Sequence, residues 1–340
     1  MEGGLWPSGP VEGDYIETIE GMFFAVKGLT HPEGLVIAYL RYLPDEGGRR
    51  LKGGRRYRRL YDLEETEKIL RDGFPHYLNH VESKGLVLQS VPEERIARVY
   101  RPRERLRTLL RSPTSPLEEA TVKLASAISK ESGIPQDRLG VSGSTLIGLA
   151  GPASDIDLVA YGREDGRMAY HALSRLRGEH EWLKAYERET VAGVLENRWG
   201  DTGLDRANLA ELECRKVLHG LVEGRDYFVR LVREPSQETE AASKQLGRAV
   251  VRAEVTEADD SIYTPCTYVV EGSRILDPSH RYEVVRLMSY RGKYTEQVEV
   301  GEEVEARGTL EEVTCGGRRS YRLILGGMGD YLVPTSFLDR

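Results

Sequence analysis

At 340 residues the chain exceeds the length at which one hydrophobic core usually keeps growing, so two or three domains are expected, and we count three. With 39% hydrophobic and 30% charged residues it has enough apolar surface to bury real cores, which excludes a chain dominated by disorder. The net charge of −7 weighs on average against a nucleic-acid partner, but it conceals two strongly basic runs, 49–59 and 95–111.

In chain order, Met22 to Val26 and Leu35 to Leu40 are β-forming runs separated by His31-Pro32-Glu33-Gly34, and they predict a hairpin. A Gly-rich basic loop follows, then a short helix capped by Asp62 that stops near Gly73, before Pro75; another strand is expected at Gly85 to Gln89. The Arg111-Ser112-Pro113-Thr114-Ser115-Pro116 stretch marks a domain boundary. Ser115 then reads as an N-cap with Glu118 closing a capping box, and Gly133 with Pro135 ends that helix. A strand at Arg138 to Ser142, a second at Asp155 to Tyr161, a helix capped by Asp165, helical patterning from Leu204 to Gly220 and a strand from Asp226 to Val232 complete the middle of the chain. Beyond the polar segment Glu234 to Lys244, short β-like runs divided by Gly, Asp and Pro predict an all-β domain, and the stretch from Gly301 to Leu310 resembles segments of OB-like barrels. The expected domains are 1–112, an N-terminal α+β domain with the basic loop, 113–245, an α/β core, and 246–340, a C-terminal β domain.

Chemistry concentrates in Gly143-Ser144 and Asp155-Ile156-Asp157. Side chains alternate on a strand, so Asp155 and Asp157 emerge on one face while Ile156 and Leu158 enter the core. Two carboxylates so close repel each other, and a hard divalent cation, Mg²⁺ or Mn²⁺, relieves the repulsion. Gly143-Ser144 sits where a strand gives way to a helix, so its backbone N–H groups can hold triphosphate oxygens, with the Ser144 hydroxyl as a further donor.

Together these residues resemble the signature of the DNA polymerase β-like nucleotidyltransferase superfamily, a Gly-Ser pair followed by Asp-x-Asp on a strand; Gly148 and Ser154 also match that pattern. The whole chain is similar to uncharacterised archaeal predicted nucleotidyltransferases through residues 15–21, Val99-Tyr100-Arg101-Pro102 and Ile262-Tyr263-Thr264-Pro265-Cys266. The resemblance implies a third carboxylate on a later strand, for which Asp226 is the first choice and Glu254 and Asp260 are rivals; Asp201 and Asp205 read as loop or capping residues.

Other motifs fail. No Walker loop occurs, and Ser144 stands where a nucleophile elbow needs its final glycine. His76 and His80, four apart, would share a helix face but lack a third ligand, and Cys214, Cys266 and Cys315 have no C-x-x-C spacing, which leaves neither zinc nor a disulfide framework. No apolar run reaches the roughly 20 residues of a membrane span, and the start carries no secretion-signal pattern, so the expected compartment is the cytoplasm, with no membrane partner.

Arg49, Arg50, Lys52, Arg55, Arg56, Arg58 and Arg59 are candidates for tracking an RNA backbone; for the second basic run Glu93, Glu94 and Glu104 offer neutralising partners. Tyr263, Tyr268, Tyr290, Tyr294 and Tyr321, if exposed, would suit base stacking, whereas the Trp182 and Trp199 region reads as packing. The expected activity is metal-dependent transfer of a nucleoside monophosphate from a nucleoside triphosphate to an acceptor hydroxyl, an RNA end, with release of pyrophosphate. Asp155, Asp157 and Asp226 would be catalytic, the first two holding metal, with Gly143 and Ser144 binding the nucleotide. The alternatives are a nucleic-acid-binding protein that keeps the fold without catalysis, and a transferase acting on a small molecule or a protein.

Overall fold

The structure, a computed structural model, describes residues 9–82, 86–200, 202–233, 242–276 and 282–338, so most of the polar segment expected at Glu234 to Lys244 lies outside the described residues. Along the chain run β1 (Tyr15–Thr18), β2 (Phe23–Val26), β3 (Leu35–Pro44), β4 (Arg50–Lys52), β5 (Arg55–Arg59) and α1 (Leu63–Gly73). Next come β6 (Leu78–Val81), β7 (Leu86–Pro92), β8 (Ile96–Tyr100), α2 (Pro102–Arg111), α3 (Pro116–Ser132), β9 (Leu139–Val141), α4 (Gly143–Leu146), β10 (Ile156–Tyr161) and α5 (Arg163–Glu179). β11 (Leu183–Lys184), α6 (Ala192–Trp199), α7 (Arg206–Arg215), β12 (His219–Val222) and β13 (Arg225–Val232) follow. The last strands are β14 (Ala242–Glu257), β15 (Cys266–Ile275), β16 (Val284–Ser289), β17 (Glu303–Cys315), β18 (Arg318–Leu325) and β19 (Tyr331–Pro334). Chain contacts divide the polypeptide into two compact units, one reaching from the N-terminal strands to Ala172 and resuming at Val222 through β13, the other holding Leu173–Leu221 and the strands from β14 onward.

In the first unit the expected hairpin is present, with β2 antiparallel to β3, in a sheet of order β4-β5-β3-β2-β1-β8 to which β7 and β6 attach. All four residues of β2 are buried because the strand is covered on both faces. Phe24 and Val26 join a core with Leu40, Leu70 and Tyr77, while Phe23 packs with Tyr42 and Tyr57 against Leu146, Ile147 and Leu149, so this sheet rests on the turn after Gly143. Asp62 caps α1 by accepting from the Glu65 N–H at 2.7 Å, as its position predicts. His76 and His80 do not share a helix face: Pro75 opens a separate 3₁₀ turn carrying His76, and His80 lies on β6.

Ser115 caps α3, and Gly133, at φ +76°, ends it. Glu118 does not turn back onto Ser115 as the capping box predicts. Its carboxylate accepts from the Thr114 N–H and hydroxyl, both at 2.7 Å, and from Arg105, which draws it one residue further. Asp165 is likewise inside the first turn of α5, facing Arg138, and not at its cap. In the central sheet β10 lies between antiparallel β9 and parallel β13, the arrangement on which the carboxylates depend.

In the second unit the pairings run β14-β15-β16-β18-β17 and return to β14, closing a ring of five strands in which only β16 and β18 are parallel. This is the Greek-key order of an OB-like barrel, as expected for the C-terminal domain. Tyr263, Tyr268 and Tyr294 are buried, contrary to a stacking role; Tyr268 donates to the Tyr294 carbonyl at 2.6 Å and Tyr294 to the Asp330 carbonyl at 2.7 Å. The Tyr268 and Tyr294 rings fill the barrel core and their hydroxyls satisfy backbone carbonyls. α7 stops at Arg215, short of the Gly220 that its periodicity suggests, because Lys216 turns extended and points its ammonium at the buried Glu213, 2.9 Å away. Arg198 at 2.7 Å and Trp199 at 2.9 Å complete the partners of that carboxylate. Burial works to raise its pKa, but Lys216 and Arg198 outweigh it and hold the group well below the usual carboxylate range. Trp199 is therefore a packing residue, as expected.

Candidate active site

The turn after β9 is fixed by its neighbours. The Ser142 N–H donates to the Asp157 carbonyl at 2.8 Å and the Ser142 hydroxyl to the Gly13 carbonyl at 2.7 Å, which brings Gly143 directly over the Asp157 side chain. A Cβ on Gly143 would lie 1.9 Å from Asp157 Oδ2, and its φ is +59°. Both space and backbone conformation thus require glycine here. The helix that follows is a single turn, and Ser144 is buried, its hydroxyl donating inward to Ser154 Oγ at 3.2 Å. Any cradle formed here consists of backbone N–H groups in an open turn more than of a helix dipole.

Asp155, the residue before β10, and Asp157 on it alternate with Ile156 and Leu158, whose side chains are buried. Burial, then the adjacent Asp155 charge, push the Asp157 pKa up to about 7, against the pull of Arg59, Arg230 and Arg41. Asp155 Oδ1 is shut from solvent without a hydrogen bond; the nearest cation, Arg59 Nη2, is 3.9 Å away, too far to donate. An orphaned carboxylate oxygen beside a second, strained carboxylate fits a hard divalent cation that takes its other ligands from water and phosphate oxygens. Among the described residues no group of three His, Cys, Asp or Glu is placed to hold a metal by side chains alone.

Asp226 stands at the start of β13, one residue before Tyr227, the partner of Ile156. Strand alternation turns Asp226 to the same side of the sheet as Asp157, and its side chain is exposed to solvent. Glu254 lies on β14 and Asp260 in the loop after it, both in the second unit. Asp205 caps α7, accepting from the Ala207 and Asn208 N–H groups at 2.9 and 3.0 Å, whereas Asp201 lies outside the described residues.

The basic run divides by strand alternation. Arg50 Nη1 donates to Ser154 Oγ at 2.9 Å, Arg59 approaches Asp155, and Lys52 donates to the Tyr100 hydroxyl at 2.6 Å with its ammonium over the Phe23 and Tyr100 rings. Arg58 pairs with Asp45 and Glu65 at 3.0 and 2.6 Å, while Arg56 donates to the Gly48 carbonyl at 3.3 Å. Arg49, Arg55 and Arg56 are exposed. Composition alone does not reveal that Arg50 joins the serine bonded to Ser144 or that Arg59 approaches Asp155. The signal was there in the alternation Arg50, Lys52 and Arg55, Tyr57, Arg59, which places these five residues on one hairpin face. In the second run Arg95, Arg101 and Arg105 pair with Glu20, Asp14 and Glu118, and not with the neighbouring glutamates that sequence offers.

The raised Asp157 pKa carries a prediction. A cation held by this group would have to displace a proton below about pH 7, so any affinity for Mn²⁺ at Asp157 should fall by up to about tenfold for each pH unit below 7 and level off above it. Calorimetric titration between pH 5.5 and 8.5 checks this; an affinity flat across that range would show that Asp157 ionises normally.

Residues 122–208 match the family described as a nucleotidyltransferase domain. The chain is 31% identical over 328 residues to an uncharacterized protein of Methanocaldococcus jannaschii, an alignment that spans 92% of this chain and 94% of that one. No solved structure matches it significantly. Among the described residues no helix is long and apolar enough to cross a membrane.

Proposed function

We propose a reaction for a chain that belongs to the same family as this archaeal protein and carries a nucleotidyltransferase domain at residues 122–208. In it, the hydroxyl oxygen of an acceptor attacks the α-phosphorus of a nucleoside triphosphate, the bond from that phosphorus to the α,β-bridging oxygen breaks, and pyrophosphate leaves. The single observation that supports it most is the Gly143 turn pressed onto Asp157, with an orphaned Asp155 oxygen alongside. Backbone N–H groups of the Gly143-Ser144 turn would orient the triphosphate, and Asp155 and Asp157 would hold Mg²⁺ or Mn²⁺. When bound, the metal supplies Lewis-acid polarisation and neutralises charge on the attacking and leaving oxygens. Asp226, solvent-exposed on the same face, would take the proton of the attacking hydroxyl.

The acceptor proposed is an RNA end, in view of the exposed Arg49, Arg55 and Arg56 and the OB-like barrel in the second unit. A second reading, a binding protein that keeps the fold without catalysis, draws on the absence of a three-carboxylate group among the described residues. Incubating the protein with each labelled triphosphate, Mg²⁺ and bulk RNA separates them. Label is expected in RNA, lost in Asp155→Ala and reduced in Asp226→Asn. Tight RNA binding with no transfer from any triphosphate would establish the second reading, and full transfer by Asp226→Asn would remove that residue from the site.

A further inference from the structure

We propose that Arg50 and Arg59, carried to the site on the β4–β5 hairpin, grip the phosphate tail of the nucleoside triphosphate; the inference rests on the transferase reading above. The hairpin register is Arg50 with Tyr57 and Lys52 with Arg55, so Arg50, Lys52, Arg55, Tyr57 and Arg59 share one face and Leu51, Arg56 and Arg58 the other. The buried Tyr57 anchors the first face through Phe23 to Leu146, Ile147 and Leu149, the segment that follows the Gly143-Ser144 turn. Arg50, directly across from Tyr57, and Arg59, two residues beyond it on β5, are thereby held beside that segment, while Arg56 and Arg58 are engaged elsewhere.

Arg50 reaches Ser154 Oγ, which also accepts from the Gly151 N–H at 2.9 Å and is hydrogen-bonded to Ser144 Oγ at 3.2 Å, so its guanidinium is joined to the same small network as the Gly143-Ser144 turn. Among the described residues that is the hydrogen bond Arg50 makes, and the rest of its five-donor fork is available. Arg59 is only 26% exposed and stacks over Tyr61, yet among the described residues its guanidinium makes no hydrogen bond; the carboxylate oxygen it approaches is Asp155 Oδ1, at 3.9 Å. A mostly covered arginine with undirected donors, beside a carboxylate with an unfilled acceptor, is poised for a ligand that supplies acceptor oxygens to one and positive charge to the other. A metal-bound triphosphate has both. Without Arg50 and Arg59 two ionised aspartates would repel the anionic tail; with them the site presents a planar fork suited to phosphate oxygens. The hairpin thus serves the nucleotide before it serves any polymer.

The test uses the full chain and inorganic tripolyphosphate, which has the tail without a base, measured by calorimetry with and without Mg²⁺. Arg50→Gln and Arg59→Gln should each weaken binding by about tenfold and the double variant by about a hundredfold, with melting curves confirming the fold. Arg59→Lys, which keeps charge and loses the fork, should fall between wild type and Arg59→Gln, and Arg56→Gln should stay within about twofold of wild type. Unchanged affinity in the double variant overturns the inference, as does an equal loss in Arg56→Gln, which would indicate a diffuse field. Loss of binding to a single-stranded oligoribonucleotide with tripolyphosphate binding intact also overturns it and gives the hairpin to RNA. If Gly143→Ala abolishes tripolyphosphate binding while the arginine variants retain it, this inference falls and the transferase reading stands. If the wild type binds no tripolyphosphate, both fall.

Discussion

Asp157→Asn is expected to abolish transfer, by about a thousandfold or more, and at the same time to make the metal-free protein more stable. The first effect follows from losing one of two carboxylates proposed to hold the cation: metal assistance contributes several kcal/mol, and about 4 kcal/mol corresponds to about a thousandfold. The second follows from the environment. Burial and the Asp155 charge raise the Asp157 pKa to about 7, from an ordinary value of 3.8. Between these two values the folded protein holds a proton that the unfolded chain has released, so folding stability declines as pH rises from about 4 to about 7 and is constant above. Asparagine does not titrate and removes that cost. The full shift would correspond to about 4 kcal/mol, but the side chain is partly solvated and the surroundings relax, so a gain of about 1 to 2 kcal/mol is expected above pH 7, shrinking towards nothing at pH 4. Thermal melts in chelator at pH 5 and pH 8, alongside the transfer assay, measure both. A variant that melts below wild type at pH 8 would show that the two carboxylates are not in conflict, and with it the main electrostatic argument for a cation would go.

Features legible in the sequence were those decided by neighbours along the chain. Asp62, Ser115 and Gly133 end their helices where expected because capping is a matter of three or four residues. The shared face of Asp155 and Asp157 follows from strand alternation alone, and the side of the sheet to which Asp226 turns follows from the parallel pairing of β10 with β13. Features decided by distant residues were not legible. Tyr268 and Tyr294 read equally well as exposed or buried β-formers until the barrel closes round them. Glu118 leaves its expected cap partner because Arg105, on the preceding helix, draws it away, and α7 ends at Arg215 because Lys216 finds a buried carboxylate. The basic hairpin is the instructive case. Its charge is evident in composition, but which of its residues share a face across the two strands depends on a register that composition does not contain.

Gly143→Ala should separate the site from the fold in the opposite sense to Asp157→Asn, by damaging both. The backbone there is left-handed, which costs an L-residue about 1 to 2 kcal/mol. The new methyl would also arrive 1.9 Å from Asp157 Oδ2, so the turn or the carboxylate must move by more than an ångström. Misplacement on that scale costs about a hundredfold in rate where reacting groups have to be aligned. Gly133→Ala provides the control: its φ of +76° carries a similar backbone penalty at the end of α3, but nothing lies within 4 Å of the added Cβ. Both variants should lose stability by about 1 to 3 kcal/mol, while only Gly143→Ala loses about a hundredfold or more in transfer and in tripolyphosphate binding. Equal activity in the two would mean that the turn does not hold phosphate, and that the conformation of Gly143 serves only to admit the Asp157 side chain.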